Sequence, residues 1–125
     1  MIFGIGTDIV ATQRLQTMWE RHGEHALDKL LAPQERMDFD KAANKGRFLA
    51  KRFAAKEAFC KALGTGVRPP AVLPAIGVGH DEFGKPILEC YGALAEMIKN
   101  QGLVAHLSLS DEADYAIAYV ILEQR

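Results

Sequence analysis

Apolar positions recur with a period of two in some stretches of the chain and near 3.6 in others, and these two periods predict its elements. Residues 2 to 10, Ile-Phe-Gly-Ile-Gly-Thr-Asp-Ile-Val, alternate as a strand, with Phe3, Ile5, Thr7 and Ile9 on one face and Gly4, Gly6 and Asp8 on the other. Glycine inside a strand marks close approach by a ligand or another backbone, so Asp8 stands at the floor of a candidate site or caps the next helix. Thr12 caps a helix to about residue 22, with Leu15, Met18 and Trp19 facing inward or toward a partner. A second helical piece spans His25 to Leu31, and Pro33 opens another through about Ala43. Asn44-Lys45-Gly46 breaks the chain before its longest helical stretch, Arg47 to Leu63, which Gly64 ends as a left-handed cap.

On that helix Phe48, Leu49, Phe53, Phe59, Cys60 and Leu63 fall on one broad arc, and Ala50, Ala54, Ala55, Ala58 and Ala62 on the other. A helix apolar nearly all round is buried, yet this one carries Lys51, Arg52, Lys56, Glu57 and Lys61. Buried charges need a partner or something to bind. Beyond the Val67-Arg68-Pro69-Pro70 loop, residues 76 to 80 and 86 to 90 predict a hairpin around Asp81-Glu82-Phe83-Gly84, with Pro86 marking an edge strand. Tyr91 to Asn100 predicts an amphipathic helix with Ala93, Leu94, Met97 and Ile98 on its apolar side and Gly102 closing it. The last strands, about 103 to 110 and 114 to 123, flank the turn Asp111-Glu112-Ala113. In the final one Ala116, Ala118, Val120 and Leu122 oppose Tyr115, Ile117, Tyr119 and Ile121, so both faces are apolar. One face is covered by a helix or by a neighbouring subunit.

At 125 residues these elements make one domain, residues 1 to 125, of class α+β. A hydrophobic fraction of 49% with 25% charged residues excludes disorder, and a net charge of -1 gives no whole-protein attraction to nucleic acid. Two cysteines, Cys60 and Cys90, are too few for a disulfide framework and too far apart for a CxxC site, which suits a reducing cytoplasm. No apolar run is long enough to span a membrane, and Met1-Ile2-Phe3-Gly4 lacks the basic start of a signal peptide. The histidines show no zinc spacing, Gly4-Ile5-Gly6 lacks the third glycine of a dinucleotide fingerprint, and no Walker A or G-x-S-x-G sequence occurs.

The remaining chemistry is carboxylate and lysine. Asp8 and Glu57 offer hard oxygen ligands without histidine or thiolate, which suits Mg²⁺, an ion that completes its shell with water and substrate phosphates. Lys61, four residues after Glu57, shares its helical face and either pairs with the carboxylate or reaches a phosphate. Carboxylate, lysine and metal are parts of a phosphoryl-transfer site; an ordinary ion pair between Glu57 and Lys61 is the alternative. The Gly64-Thr65-Gly66 loop offers backbone N–H groups to a phosphate or simply caps the helix. Arg14 and Arg21, with Met18 between them, form a stripe that is solvated or docks an acidic partner.

Gly6-Thr7-Asp8-Ile9-Val10, Arg52-Phe53-Ala54-Ala55-Lys56-Glu57-Ala58 with Lys61 and Gly64-Thr65-Gly66, Gly84-Lys85-Pro86, and Ser108-Leu109-Ser110-Asp111 with Tyr115-Ala116 occur in this order over nearly the whole chain. Together they resemble the holo-[acyl-carrier-protein] synthase family, the short bacterial-type 4'-phosphopantetheinyl transferases. The resemblance implies a small, mostly antiparallel sheet packed on a long central helix with shorter helices. It implies transfer of 4'-phosphopantetheine from coenzyme A to a serine of apo acyl carrier protein, with release of adenosine 3',5'-bisphosphate, in fatty acid biosynthesis. By the same resemblance Asp8 and Glu57 hold Mg²⁺, Lys61 serves the phosphates or leaving group, and Glu57 or a water it positions is the base, with Asp8 next in line. Arg52, Gly64, Thr65, Gly66, Pro86 and His106 line the nucleotide pocket, and Arg14, Met18 and Arg21 meet the carrier. The implied assembly is a homotrimer with sites between subunits. One departure is Ser110-Asp111-Glu112, where many members read Ser-His-Ser. Two other classes fit the residues less well: a coenzyme A sensor without catalysis, and a scaffold that only docks the carrier through Arg14 and Arg21.

Overall fold

The computed structural model describes residues 1–125. Strand β1 (Ile2–Ala11) runs into helix α1 (Thr12–His22), followed by α2 (Glu24–Leu30). The segment expected to form one helix from Pro33 divides into a tight 3-10 turn, Pro33–Glu35, and a short α3 (Arg36–Lys41). Helix α4 (Lys45–Leu63) is the longest element. Its start corrects the predicted break: the Asn44 carboxamide oxygen accepts the Arg47 N–H at 3.0 Å, so Lys45 and Gly46 already belong to the first turn. Strands β2 (Ile76–His80) and β3 (Pro86–Cys90) form the predicted hairpin. Helix α5 (Gly92–Asn100) and strands β4 (Leu103–Asp111) and β5 (Tyr115–Gln124) complete the chain.

Two antiparallel sheets replace the single one expected, a three-stranded sheet in the order β1-β5-β4 and the separate β2-β3 hairpin. The period-two patterns set their faces. Gly4, Gly6 and Asp8 turn toward α4 together with Ala116, Ala118, Val120 and Leu122, and the alanine side of α4 closes onto them. The approach is so close that a Cβ on Gly4 would overlap the Ala62 carbonyl, and one on Gly6 the Ala58 carbonyl. These glycines therefore admit another backbone. Gly6→Ala is expected to cost about 2–3 kcal/mol, seen as a lower denaturant midpoint at unchanged slope, because the obstruction is helix backbone that cannot rotate away.

The aromatic side of α4 meets α1 and the β2-β3 layer. Leu49 and Phe59 are fully buried, and Trp19, Phe39 and Phe48 meet edge to face at 5.7 Å between ring centres. On α5, Leu94, Met97 and Ile98 face the core as predicted, whereas Ala93 is exposed. The outer face of the three-stranded sheet has no cover within the chain. Ile5 and Ile9 are 60% exposed, Tyr115 and Tyr119 51%, and Phe3, Ile117 and Ile121 at least 36%. No helix is long and apolar enough to cross a membrane.

Candidate active site

Asp8 reaches the inner rim of β1 because alternation puts it on the glycine face, beside the last turns of α4. The Lys61 ammonium donates to the Thr7 carbonyl at 2.9 Å and to Asp8 Oδ1 at 3.2 Å. Asp8 is mostly shielded, with 16% of its side chain exposed, while Lys61 keeps 53% exposed and so retains a free side for another anion. Lys61 thus pairs with Asp8 across the strand, and the i,i+4 hydrogen bond to Glu57 is not the one formed. Partial burial holds Glu57 above the ordinary carboxylate range, and the nearby Asp8 charge pushes it further; Lys61 and Arg14 pull it back. Two carboxylates, a lysine and an arginine thus converge on one end of α4. Arg14, read from sequence as a docking residue, stacks over the Phe53 ring at 5.2 Å within the field of Glu57.

Other predicted residues lie around this centre or apart from it. Gly64 and Gly66 both donate their N–H groups back to the Cys60 carbonyl, at 3.1 and 3.2 Å, and the Thr65 hydroxyl donates to the Gly66 carbonyl. The loop caps the helix with those donors, one turn beyond Lys61. Arg52, expected at a nucleotide pocket, is buried, its guanidinium donating to Glu35 Oε2 at 2.9 Å and to the Val78 carbonyl, over the Phe48 ring. Its position on α4 points it to the β2 side rather than the Asp8 side. His106 stands on the outer sheet face in one row with Ile5 and Ile121, opposite the face that carries Asp8, with Nε2 3.1 Å from Glu123 Oε1. It shares a cleft of about 440 Å³ with Lys85, Leu107, Ser108, Tyr119 and Ile121, and Pro86 begins the strand beside it. Met18, His22, His25, Ala26 and Lys29 line a second cleft of about 440 Å³, and Arg21 is exposed near the end of α1.

A family model described as the 4'-phosphopantetheinyl transferase superfamily matches residues 4–120. The chain belongs to that superfamily. It is 77% identical to the holo-[acyl-carrier-protein] synthase of Dechloromonas aromatica over 123 residues, 98% of each chain. The crystal structure of the holo-[acyl-carrier-protein] synthase from Neisseria meningitidis superposes with a TM-score of 0.94 at 43% identity, covering 99% of this chain and 100% of that one. A Bacillus anthracis holo-(acyl-carrier-protein) synthase in complex with CoA (3',5'-ADP) gives a TM-score of 0.84 at 35% identity over 100% and 99% of the two chains. The α+β fold is therefore that of this transferase superfamily.

Elsewhere the chain holds two anchors that motif reading passed over. Glu35 is buried and accepts four hydrogen bonds: from the Ala32 N–H, Lys56 Nζ at 2.5 Å, Arg52 and the Val78 N–H. Gln34-Glu35-Arg36 looks like surface, and only the unmatched charges of Arg52 and Lys56 signalled a missing anion. At the departure from the usual Ser-His-Ser, Asp111 Oδ2 lies 2.7 Å from Arg47 Nε, joining the β4-β5 turn to the start of α4. At the centre itself, Asp8→Asn is expected to lower the Glu57 titration midpoint in metal-free protein, and Arg14→Ala to raise it, followed by carboxyl carbon NMR. Removing a like charge favours the carboxylate, and removing a cation disfavours it.

Proposed function

We propose that this chain transfers 4'-phosphopantetheine from coenzyme A to a serine hydroxyl of apo acyl carrier protein, with Mg²⁺, releasing adenosine 3',5'-bisphosphate and supplying holo carrier for fatty acid biosynthesis in the cytoplasm. The observation that carries this reading is the convergence of Asp8, Glu57 and Lys61 at the end of α4. The donor set fits a hard divalent cation: both groups are carboxylates, and the Asp8 repulsion that adds to burial in raising Glu57 is what such an ion relieves. Asp8 and Glu57 would hold it, and when bound it would neutralise the donor diphosphate and polarise its phosphorus. Lys61, half exposed, turns its free side to a phosphate and stabilises the departing bisphosphate. The serine oxygen forms its bond to the β-phosphorus as the diphosphate bond breaks, and the serine proton passes to Glu57 or to a water Glu57 positions.

The uncovered outer sheet face supports a homotrimer. Its row of Ile5, Ile9, Ile117, Tyr119 and Ile121 is an apolar patch of the kind subunits bury, and His106 beside it faces away from its own Asp8. A site containing both would then use His106 of one copy and Asp8 of the next. Intact-mass measurement on apo carrier with coenzyme A tests the reading: a phosphopantetheine increment is expected with Mg²⁺ and not with chelator. No increment under any metal condition would sink it. Light scattering is expected to give three times the chain mass of 13.8 kDa.

A further inference from the structure

We propose that Glu123 is a positioning residue for His106: by engaging Nε2 of the ring it fixes the tautomer and leaves Nδ1 as the nitrogen open to a phosphate, which the protonated ring holds and the neutral ring refuses. This rests on His106 meeting a phosphate of coenzyme A. Glu123 belongs to none of the motif segments and stands one strand over, on β5, where it pairs with Val104 and reaches His106 diagonally across the outer sheet face. Its Oε1 lies 3.1 Å from His106 Nε2 and 3.5 Å from the Arg125 guanidinium. The hydrogen bond with His106, and after it the Arg125 charge, hold the Glu123 carboxyl below the ordinary range. An ionised carboxylate only accepts, so the hydrogen at this contact belongs to Nε2.

Fixing one nitrogen decides what the other can do. In a neutral ring with hydrogen on Nε2, Nδ1 is a lone pair and meets a phosphate oxygen as acceptor against acceptor. In the imidazolium it is an N–H that donates a charge-assisted bond. Nδ1 has no hydrogen-bond partner within the chain, and the half-exposed ring lines its cleft with Lys85, Ser108 and Tyr119. Of the titratable groups that face the ring, Lys85 comes from the hairpin, Tyr119 and Glu123 from β5, and Arg125 stands behind Glu123. Helix α5 adds none, because it packs on the inner face of β4 against Leu103 and Ala105. Glu123 is the one carboxylate among them. The others are the same in wild type and in a Glu123 variant, so comparing the two proteins at one pH isolates the ring.

Long-range nitrogen-15 NMR of the protein without donor reads the tautomer, the His106 signals being those lost in His106→Gln. At pH 9 wild type is expected to carry hydrogen on Nε2 alone, and Glu123→Gln, whose amide both donates and accepts, to show a mixture. Hydrogen on Nδ1, or a mixture, in wild type would overturn the proposal. Calorimetric binding of coenzyme A without carrier reads the consequence and needs no turnover. At pH 5.5, where imidazole is ordinarily protonated, the two proteins are expected to bind alike. At pH 9 Glu123→Gln is expected to bind about three- to tenfold more tightly than wild type, because its released ring can turn an N–H to the phosphate. A purely structural Glu123 would weaken binding at both pH values; that result, or equal binding at pH 9, overturns the role. If wild type transfers nothing to the carrier yet coenzyme A binding shows the difference at pH 9, the transferase reading falls and the role of Glu123 stands.

Discussion

Glu57→Gln is expected to lower phosphopantetheine transfer about a thousandfold or more while the protein stays folded, and Asp8→Asn to do the same. Loss of a positioned base alone is worth about 10²–10⁴-fold, and each substitution also removes one of the two carboxylates offered to the metal. The Glu57 variant carries a second, opposite consequence for stability. Burial and Asp8 hold Glu57 above its unfolded value, so on ionising this group opposes folding: its contribution is favourable below the unfolded value and is lost as pH rises through the folded one. At neutral pH in chelator the glutamine variant is therefore expected to melt no lower than wild type. Mg²⁺ should raise the melting temperature of wild type but not of the variant. Full transfer activity in either variant would remove that residue from the centre, and a large fall in the melting temperature would assign Glu57 to the scaffold. A site that is destabilised on its own and relieved by its ligands is the usual cost of concentrating charge where chemistry needs it.

Glu35→Ala is expected to be the most damaging single change to the fold, about 3–5 kcal/mol and a fall in melting temperature of roughly 10–20 °C. Glu35 is the only buried acidic residue, and the two buried cations, Arg52 and Lys56, both end on it. Lys56 is fully enclosed, donating also to the Leu30 and Leu73 carbonyls at 2.7 and 3.2 Å. Burial pushes its amine down to about 8 even with Glu35 beside it. Without the carboxylate the amine loses the neighbour that holds its proton and titrates lower still, and Arg52 cannot neutralise at all. Calorimetric melting of Glu35→Ala tests this. The triple variant Glu35→Leu, Arg52→Met, Lys56→Met is expected to recover most of the loss, because replacing all three removes the desolvation cost along with the pairing. Recovery by the triple variant separates a charge effect from a simple cavity. Arg52 and Lys56 lie within five residues of Glu57 on the same helix, so this network also holds the Glu57 stretch of α4 against β2 and the end of α2.

Much of the molecule was legible from periodicity alone. Alternation in β1 separated Asp8 and the glycines from the isoleucines, and Gly4 and Gly6 marked a close approach by a ligand or another backbone, which proves to be the helix backbone at Ala58 and Ala62. The strands of the hairpin and of β4 and β5 were placed to within a residue or two, because each is bounded by residues that cannot continue it. Charge on a helix that must be buried signalled a missing anion. Its identity was not readable, since Glu35 lies in a polar stretch and only the packing of the 3-10 turn against β2 takes it out of water. For the same reason the partner of Arg52 was not readable: a side chain's direction around a helix is local, but the neighbour it meets is not.

The amino-acid sequence by itself determined which residues are available for chemistry, which elements form, and, through the order of its motifs, the transferase superfamily. Tertiary structure alone decided that Lys61 pairs with Asp8 rather than Glu57, that the Arg14 charge acts on Glu57, and that His106 faces away from Asp8. Local propensity acts over a turn of helix or a pair of strand residues. Pairing across 53 residues between Asp8 and Lys61, or across 17 between Glu35 and Arg52, depends on how whole faces bury against each other.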